Sequence, residues 1–143
     1  MSNLTIAAIP PAMIDVVWNQ LAPLLEKPID LCKDETSLDY IYGFLKAGLL
    51  MALVVCENDK IIAVNVLRVD TFDNGNKLLF IVLVGGERID EWGYQVLDAE
   101  KEIAKSLGCV ELRGCAVRNG WLRKLNKTAW QEVHTVIKLK LGE

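Results

Sequence analysis

Lys77-Leu78-Leu79-Phe80-Ile81-Val82-Leu83-Val84-Gly85-Gly86 opens the stretch that decides the fold, and Gly108-Cys109-Val110-Glu111-Leu112-Arg113-Gly114-Cys115 closes it. After Lys77 the first segment is apolar without alternation, the pattern of a strand covered on both faces and therefore central in its sheet. Between the two segments, residues 87–107 carry Trp92, Val96, Leu97, Ile103, Ala104 and Leu107 at helical spacing, and Gly108 supplies a C-terminal stop. Strand, helix, strand is a crossover. It requires the two strands to run parallel in one sheet and the connection to be right-handed.

Upstream, the apolar run 49–57, the turn pair Asn58-Asp59 and the segment 60–70 read as a hairpin. A second turn, Phe72-Asp73-Asn74-Gly75-Asn76, returns the chain to residue 77. Residues 5–9 suit a short first strand, and Pro10-Pro11 suits a helix start. From Met13 the residues Ile14, Val17, Trp18, Leu21, Leu24 and Leu25 fall at helical spacing, with Pro23 and Pro28 expected to end or kink this helix before Lys27. A second helix is expected over 36–47, capped by Ser37 or Thr36, with Leu38, Ile41, Tyr42 and Leu45 inward and Gly48 at its end. Downstream, 117–126 reads as a short helix and 130–141 as a last strand, from the alternation Val133, Thr135, Ile137, Leu139, Leu141. The expected fold is α+β (mixed α/β), one domain over residues 1–143. Its sheet is mixed and mostly antiparallel, with helices on both faces and one βαβ crossover.

Composition narrows the function classes. At 143 residues, 52% hydrophobic and 24% charged, the chain buries about 70% of its unfolded surface and needs no staples. No apolar run approaches the roughly 20 residues of a membrane helix, and the first residues carry no basic-then-apolar secretory pattern, so a cytoplasmic protein without membrane contact is expected. The net charge of −3 argues against nucleic acid as a partner. Cys32, Cys56, Cys109 and Cys115 show no Cys-x-x-Cys spacing and His134 is the one histidine, so no metal site is expected. Cys56 and Cys109 read as buried thiols. In a regular strand Cys109 and Cys115 would stand about 20 Å apart, beyond disulfide reach. Arg118, Arg123, Lys124, Lys127, Lys138 and Lys140 gather at the C-terminal end, while acids dominate 30–39 and 87–100. The basic group is either a solvated face or a site for an anion or an acidic partner surface.

The order of elements resembles the GNAT (N-acetyltransferase) fold over nearly the whole chain. Three runs carry the resemblance: Ala104-Lys105-Ser106-Leu107-Gly108-Cys109 with the strand that follows, Gly120-Trp121-Leu122-Arg123-Lys124-Leu125, and Ala129-Trp130-Gln131-Glu132-Val133. These runs, with Gly85-Gly86 and Asp90-Glu91-Trp92, are similar to GNAT-like proteins of phages and prophages. The resemblance implies an acyl-CoA, acetyl-CoA above all, held between two parallel strands, here 77–84 and 109–115. It places the pantetheine arm on the backbone of Val82 and Val84 and the pyrophosphate on Gly85, Gly86 and Arg88 at the start of the long helix. Asn119 would lie near the thioester.

The sequence departs from that pattern in three places. The loop lacks the family's Gly-x-Gly/Ala, and Glu87, Asp90 and Glu91 crowd the helix start, where acids favour the helix but repel a phosphate. The family's tyrosine acid falls on Leu125, which has no proton to donate, and the family's asparagine falls on Arg118, one residue before Asn119. Glu111 is the candidate general base. Arg113 shares its face, and an ion pair between them would weaken it in that role. Two functions stay open: an acyl-CoA-dependent N-acyltransferase, with a coenzyme A thioester as partner, and a non-catalytic phage or prophage component of the virion, of ejection or of a protein contact. The second adds a protein partner or a homo-oligomer and a virion location to the cytoplasm of a bacterial host.

Overall fold

A computed structural model describes residues 3–115 and 130–142. Five strands form one sheet in the order β1-β2-β3-β4-β5: β1 Leu4–Ile9, β2 Met51–Glu57, β3 Lys60–Thr71, β4 Lys77–Gly86 and β5 Cys109–Gly114. The first four pair antiparallel, and β4 pairs β5 in parallel. The mixed sheet and its crossover are as the apolar run and the long helix require. Asn58 and Asp59 both take positive φ, 51° and 68°, the geometry of a two-residue hairpin turn whose twist matches its strands.

Helices cover both faces. On one side lie α1 (Ile14–Leu31) and α2 (Leu38–Lys46), on the other α3 (Ile89–Ser106). Ile14, Leu21, Leu25 and Ile29 of α1 join Ile41 and Leu45 of α2 over Val54, Val64, Val66 and Leu83. Trp92, Val96 and Ala104 of α3 pack over Leu53, Val55, Ala63, Leu67 and Leu79. The Ser37 hydroxyl caps α2 by accepting from the Tyr40 amide at 3.2 Å. Tyr42 of α2 donates to Asp15 of α1, and the Lys46 ammonium stands 2.9 Å from the same carboxylate, which clasps the two helices.

Three expectations change. Pro23 and Pro28 lie inside α1, which runs unbroken to Leu31. The buried stripe Leu21, Leu25, Ile29 holds the helix together past each missing N–H, and Asn19, whose carbonyl loses its donor to Pro23, is exposed. Cys56 and Cys109 are only half-buried, and Cys115 is exposed. Residues 130–142 form neither helix nor strand, so the expected last strand is not there. Alternation states what a strand would bury, but a strand exists only when a neighbouring backbone forms a ladder with it. The expected helix over 117–126 lies outside the described residues. No described helix is long and apolar enough to cross a membrane.

Candidate functional site

The parallel ladder between β4 and β5 is short. It runs Lys77↔Cys109, Leu78↔Glu111, Leu79↔Leu112, Phe80↔Arg113 and Ile81↔Gly114, and there it stops. β4 continues to Gly86, so residues 82–86 turn one backbone edge to a fork where β5 no longer pairs with them. The fork coincides with an irregularity on the other edge. Val66 pairs Leu83 and Leu67 pairs Ile81, which leaves Val82 without a counterpart on β3. Such a bulge bends a strand and re-aims its groups. Val82 reaches the α1 side of the sheet and Val84 the α3 side.

The two glycines that end β4 answer to packing. A Cβ on Gly85 would lie 2.2 Å from the Leu24 carbonyl oxygen of α1. A Cβ on Gly86, whose φ is +118°, would lie 2.6 Å from the Ile62 carbonyl oxygen. Beyond them Arg88 takes a left-handed conformation, φ 65°, at the start of α3. Its guanidinium donates to both oxygens of Glu57, at 3.0 and 2.9 Å, and to both oxygens of Glu91, at 2.5 and 2.9 Å. Those hydrogen bonds hold the Glu91 carboxyl below its ordinary range and raise the Arg88 guanidinium above its own. The one cation expected to offset the acids of this helix start is thus shared between two carboxylates, with Asp90 also in the first turn.

On the α1/α2 face below the fork, Glu111 and Arg113 are joined at 2.6 Å, as their spacing implies. Glu111 stands three residues before Gly114, about 10 Å down the strand from where the ladder stops. The Arg113 guanidinium lies 4.8 Å from the Phe72 ring centre, and Arg68, bonded to Asp70, lies 5.1 Å from that of Phe80. Along α1, one turn past Leu24, a pocket of about 610 Å³ opens between α1 and α2. It is lined by Glu26, Lys27, Asp30, Lys33, Thr36 and Ser37, with Ile29 and Leu38 as its apolar part. It is a broad depression, open over most of its extent, and not an enclosed cavity.

Structural comparison finds several acetyltransferases, and also a transcriptional regulator of Bacillus halodurans with a TM-score of 0.70 at 15% identity, over 97% of this chain and 100% of that one. An aminoglycoside acetyltransferase, meta-AAC0020, from an uncultured soil metagenomic sample superposes with a TM-score of 0.68 at 18% identity, over 96% of this chain and 97% of that one. Aminoglycoside N-acetyltransferase AAC(6')-Iy in complex with CoA does so with a TM-score of 0.68 at 14% identity, over 98% and 95%. A GNAT family acetyltransferase of Staphylococcus aureus matches with a TM-score of 0.68 at 16% identity, over 99% and 100%. The fold is the GNAT fold. No protein-family model and no curated protein matches the sequence.

In the GNAT fold of this chain, the structure brings Val82, Val84, Gly85 and Gly86 to the fork and Arg88 to the helix start beside it, and it sets Glu111 below. Asn119, Arg118, Trp121 and Leu125 lie outside the described residues. His134 is exposed, and Trp130 is half-buried. Two buried polar side chains escaped the sequence reading. Glu100 of α3 and Asn65 of β3 are each 3% exposed, and among the described residues Glu100 Oε2 and Asn65 Nδ2 have no hydrogen-bond partner. Burial raises the Glu100 carboxyl to about 7. Its spacing, four residues from both Val96 and Ala104 on the apolar stripe, is the signal that would have found it.

Proposed function

We propose that the chain is an acyl-CoA-dependent N-acyltransferase whose donor lies along residues 82–86. One observation carries this: β4 runs on to Gly86 after β5 has stopped pairing with it at Ile81↔Gly114. The freed N–H and C=O groups suit the amides of a pantetheine arm, which pair with an extended backbone as another strand would. Val82 and Val84 would hold that arm, and Gly85, Gly86 and Arg88 the phosphate end. When bound, the thioester supplies an activated acyl group. The chain's own part is placement: the bulge at Val82 sets the thioester end, and the α1–α2 pocket admits an amine. Two of the compared structures are aminoglycoside acetyltransferases, and the pocket wall here carries two carboxylates, Glu26 and Asp30, beside two ammonium groups, Lys27 and Lys33. Glu111 is the proposed proton acceptor, and its ion pair with Arg113 at Oε2 makes it a weak one. Without a tyrosine at Leu125, rate enhancement rests chiefly on bringing amine and thioester together.

Thermal unfolding with coenzyme A tests this reading. Ligand at about 100 times its dissociation constant stabilises the fold by roughly 2.7 kcal/mol. No shift at saturating cofactor would remove it.

A second reading is favoured by the clamp on Arg88. Two carboxylates on the phosphate-end cation suit a GNAT-like protein that has left catalysis and works by surface contacts, as a virion, ejection or interaction component of a phage or prophage. Flanking portal or tail genes, together with failure to bind coenzyme A, would select it.

A further inference from the structure

We propose that Glu100 is a proton-controlled latch on α3: while its carboxyl is neutral the helix lies on the sheet, and when it is charged the helix opens from the sheet as a unit, with α1, α2 and the strands left folded.

The latch is built into the contact between helix and sheet. Glu100 sits in the buried stripe of α3, and its neighbours one turn away are Val96, Leu97, Ile103 and Ala104, all apolar. It is 3% exposed, and among the described residues nothing bonds its Oε2. The sheet turns a second such group to the same layer. Asn65 pairs with Leu53 on one side and Val84 on the other, and both of these pack toward α3, so Asn65 faces it too. Asn65 Nδ2 is a donor without an acceptor, and Glu100 Oε2 is an acceptor without a donor. Each weakens the contact by the hydration it has lost.

No charge offsets Glu100. By register, the titratable side chains that the described strands turn to α3 are Glu57 and Lys60 at the β2–β3 hairpin, Lys77 at the start of β4 and Cys109 at the start of β5, and β1 turns none. Glu57 is bonded to Arg88, Lys77 lies beside Gly108, and Cys109 is a half-buried thiol. The other charged residues of α3, from Arg88 to Lys105, are exposed. A carboxylate at Glu100 would therefore stand uncompensated among apolar side chains, and burial raises its carboxyl to about 7.

The part that yields is α3, because its hold is the smaller one. It buries three apolar side chains, Trp92, Val96 and Ala104, against six from α1 and α2 on the other face. Segments with few buried apolar contacts open before the rest of a domain. A seated α3 keeps a proton that a released α3 gives up between 4.5 and about 7, so the released fraction rises with pH through this window and levels off above it. The start of the same helix flanks the fork, and the latch does not depend on what the fork binds.

Hydrogen exchange on the full chain tests this, read amide by amide at about pH 5 and about pH 8 with the intrinsic rates divided out. Amides of residues 96–104 should lose protection on the order of 100-fold between the two values. At the higher pH they should exchange ahead of the amides of β2 and β3. Glu100→Gln, which is neutral throughout, should keep at the higher pH the protection that the parent shows at the lower. Protection of 96–104 that is the same at both pH values in the parent chain overturns the proposal, and that measurement needs no variant. So does exchange of 96–104 no faster than that of β2 and β3 at the higher pH, which would mean that α3 leaves only with the whole fold. A Glu100→Gln chain that loses protection as the parent does overturns it as well.

Discussion

The carbonyl oxygen of Leu24 occupies the space that a side chain on Gly85 would need, 2.2 Å from where its Cβ would be. Pro28 is part of the same arrangement, because it has no N–H to offer that carbonyl. Helix α1 therefore lies directly on the end of β4, and its next turn opens onto the pocket. Gly85→Ala forces backbone apart rather than a flexible side chain. It should cost about 2–3 kcal/mol, read as a fall of roughly 5–10 °C in Tm. An unchanged Tm would mean that the helix is not seated on Gly85.

Glu100 makes stability depend on pH. Its carboxyl is raised from 4.5 to about 7 by burial. Between those values the folded chain keeps a proton that the unfolded chain has released, so stability falls as pH rises through this window and levels off above about 7. The loss is on the order of 3 kcal/mol at about 1.36 kcal/mol per unit. Glu100→Gln should unfold like the parent at about pH 4 and be more stable than it by a comparable amount at about pH 8. Urea midpoints measured across this range check it, and a constant difference between the two proteins would contradict it.

The clamp of Glu57 and Glu91 on Arg88 should weaken an anion at the start of α3. Glu57→Gln and Glu91→Gln each remove one negative charge there, and each should tighten coenzyme A about 2- to 5-fold. Titration calorimetry reads this directly. Unchanged or weaker binding would place the phosphates away from this helix end.

For Glu111 the expectation concerns rate. If it takes the proton, Glu111→Gln should lower kcat by about 100-fold while the donor KM stays the same. An unchanged kcat would leave positioning as the source of rate.

The fold was legible where local pattern and global need agree. An uninterrupted apolar strand, a long amphipathic helix and a glycine stop left the crossover little freedom, and Asn58-Asp59 and Asn74-Gly75 fixed the turns. It was less legible where packing overrules propensity. Pro23 and Pro28 are breakers by chemistry, but the stripe through Leu21, Leu25 and Ile29 outweighs them. Alternation in 133–141 is a sound strand signal, but a sequence does not say which backbone will pair with it. At the site, the acids of the α3 start and the Glu111–Arg113 pair were readable from spacing. The hold of Glu57 on Arg88 joins residues 31 apart in sequence, and Glu100 is a charge in an apolar position; neither follows from local pattern.

Hydrogen exchange at the amides of residues 82–86, with and without acetyl-CoA, addresses the fork itself. Occupation of the free edge of β4 by the pantetheine arm should slow exchange at these amides while β1 and β2 stay as they were. Exchange that remains the same at saturating acetyl-CoA would show that nothing binds along this strand.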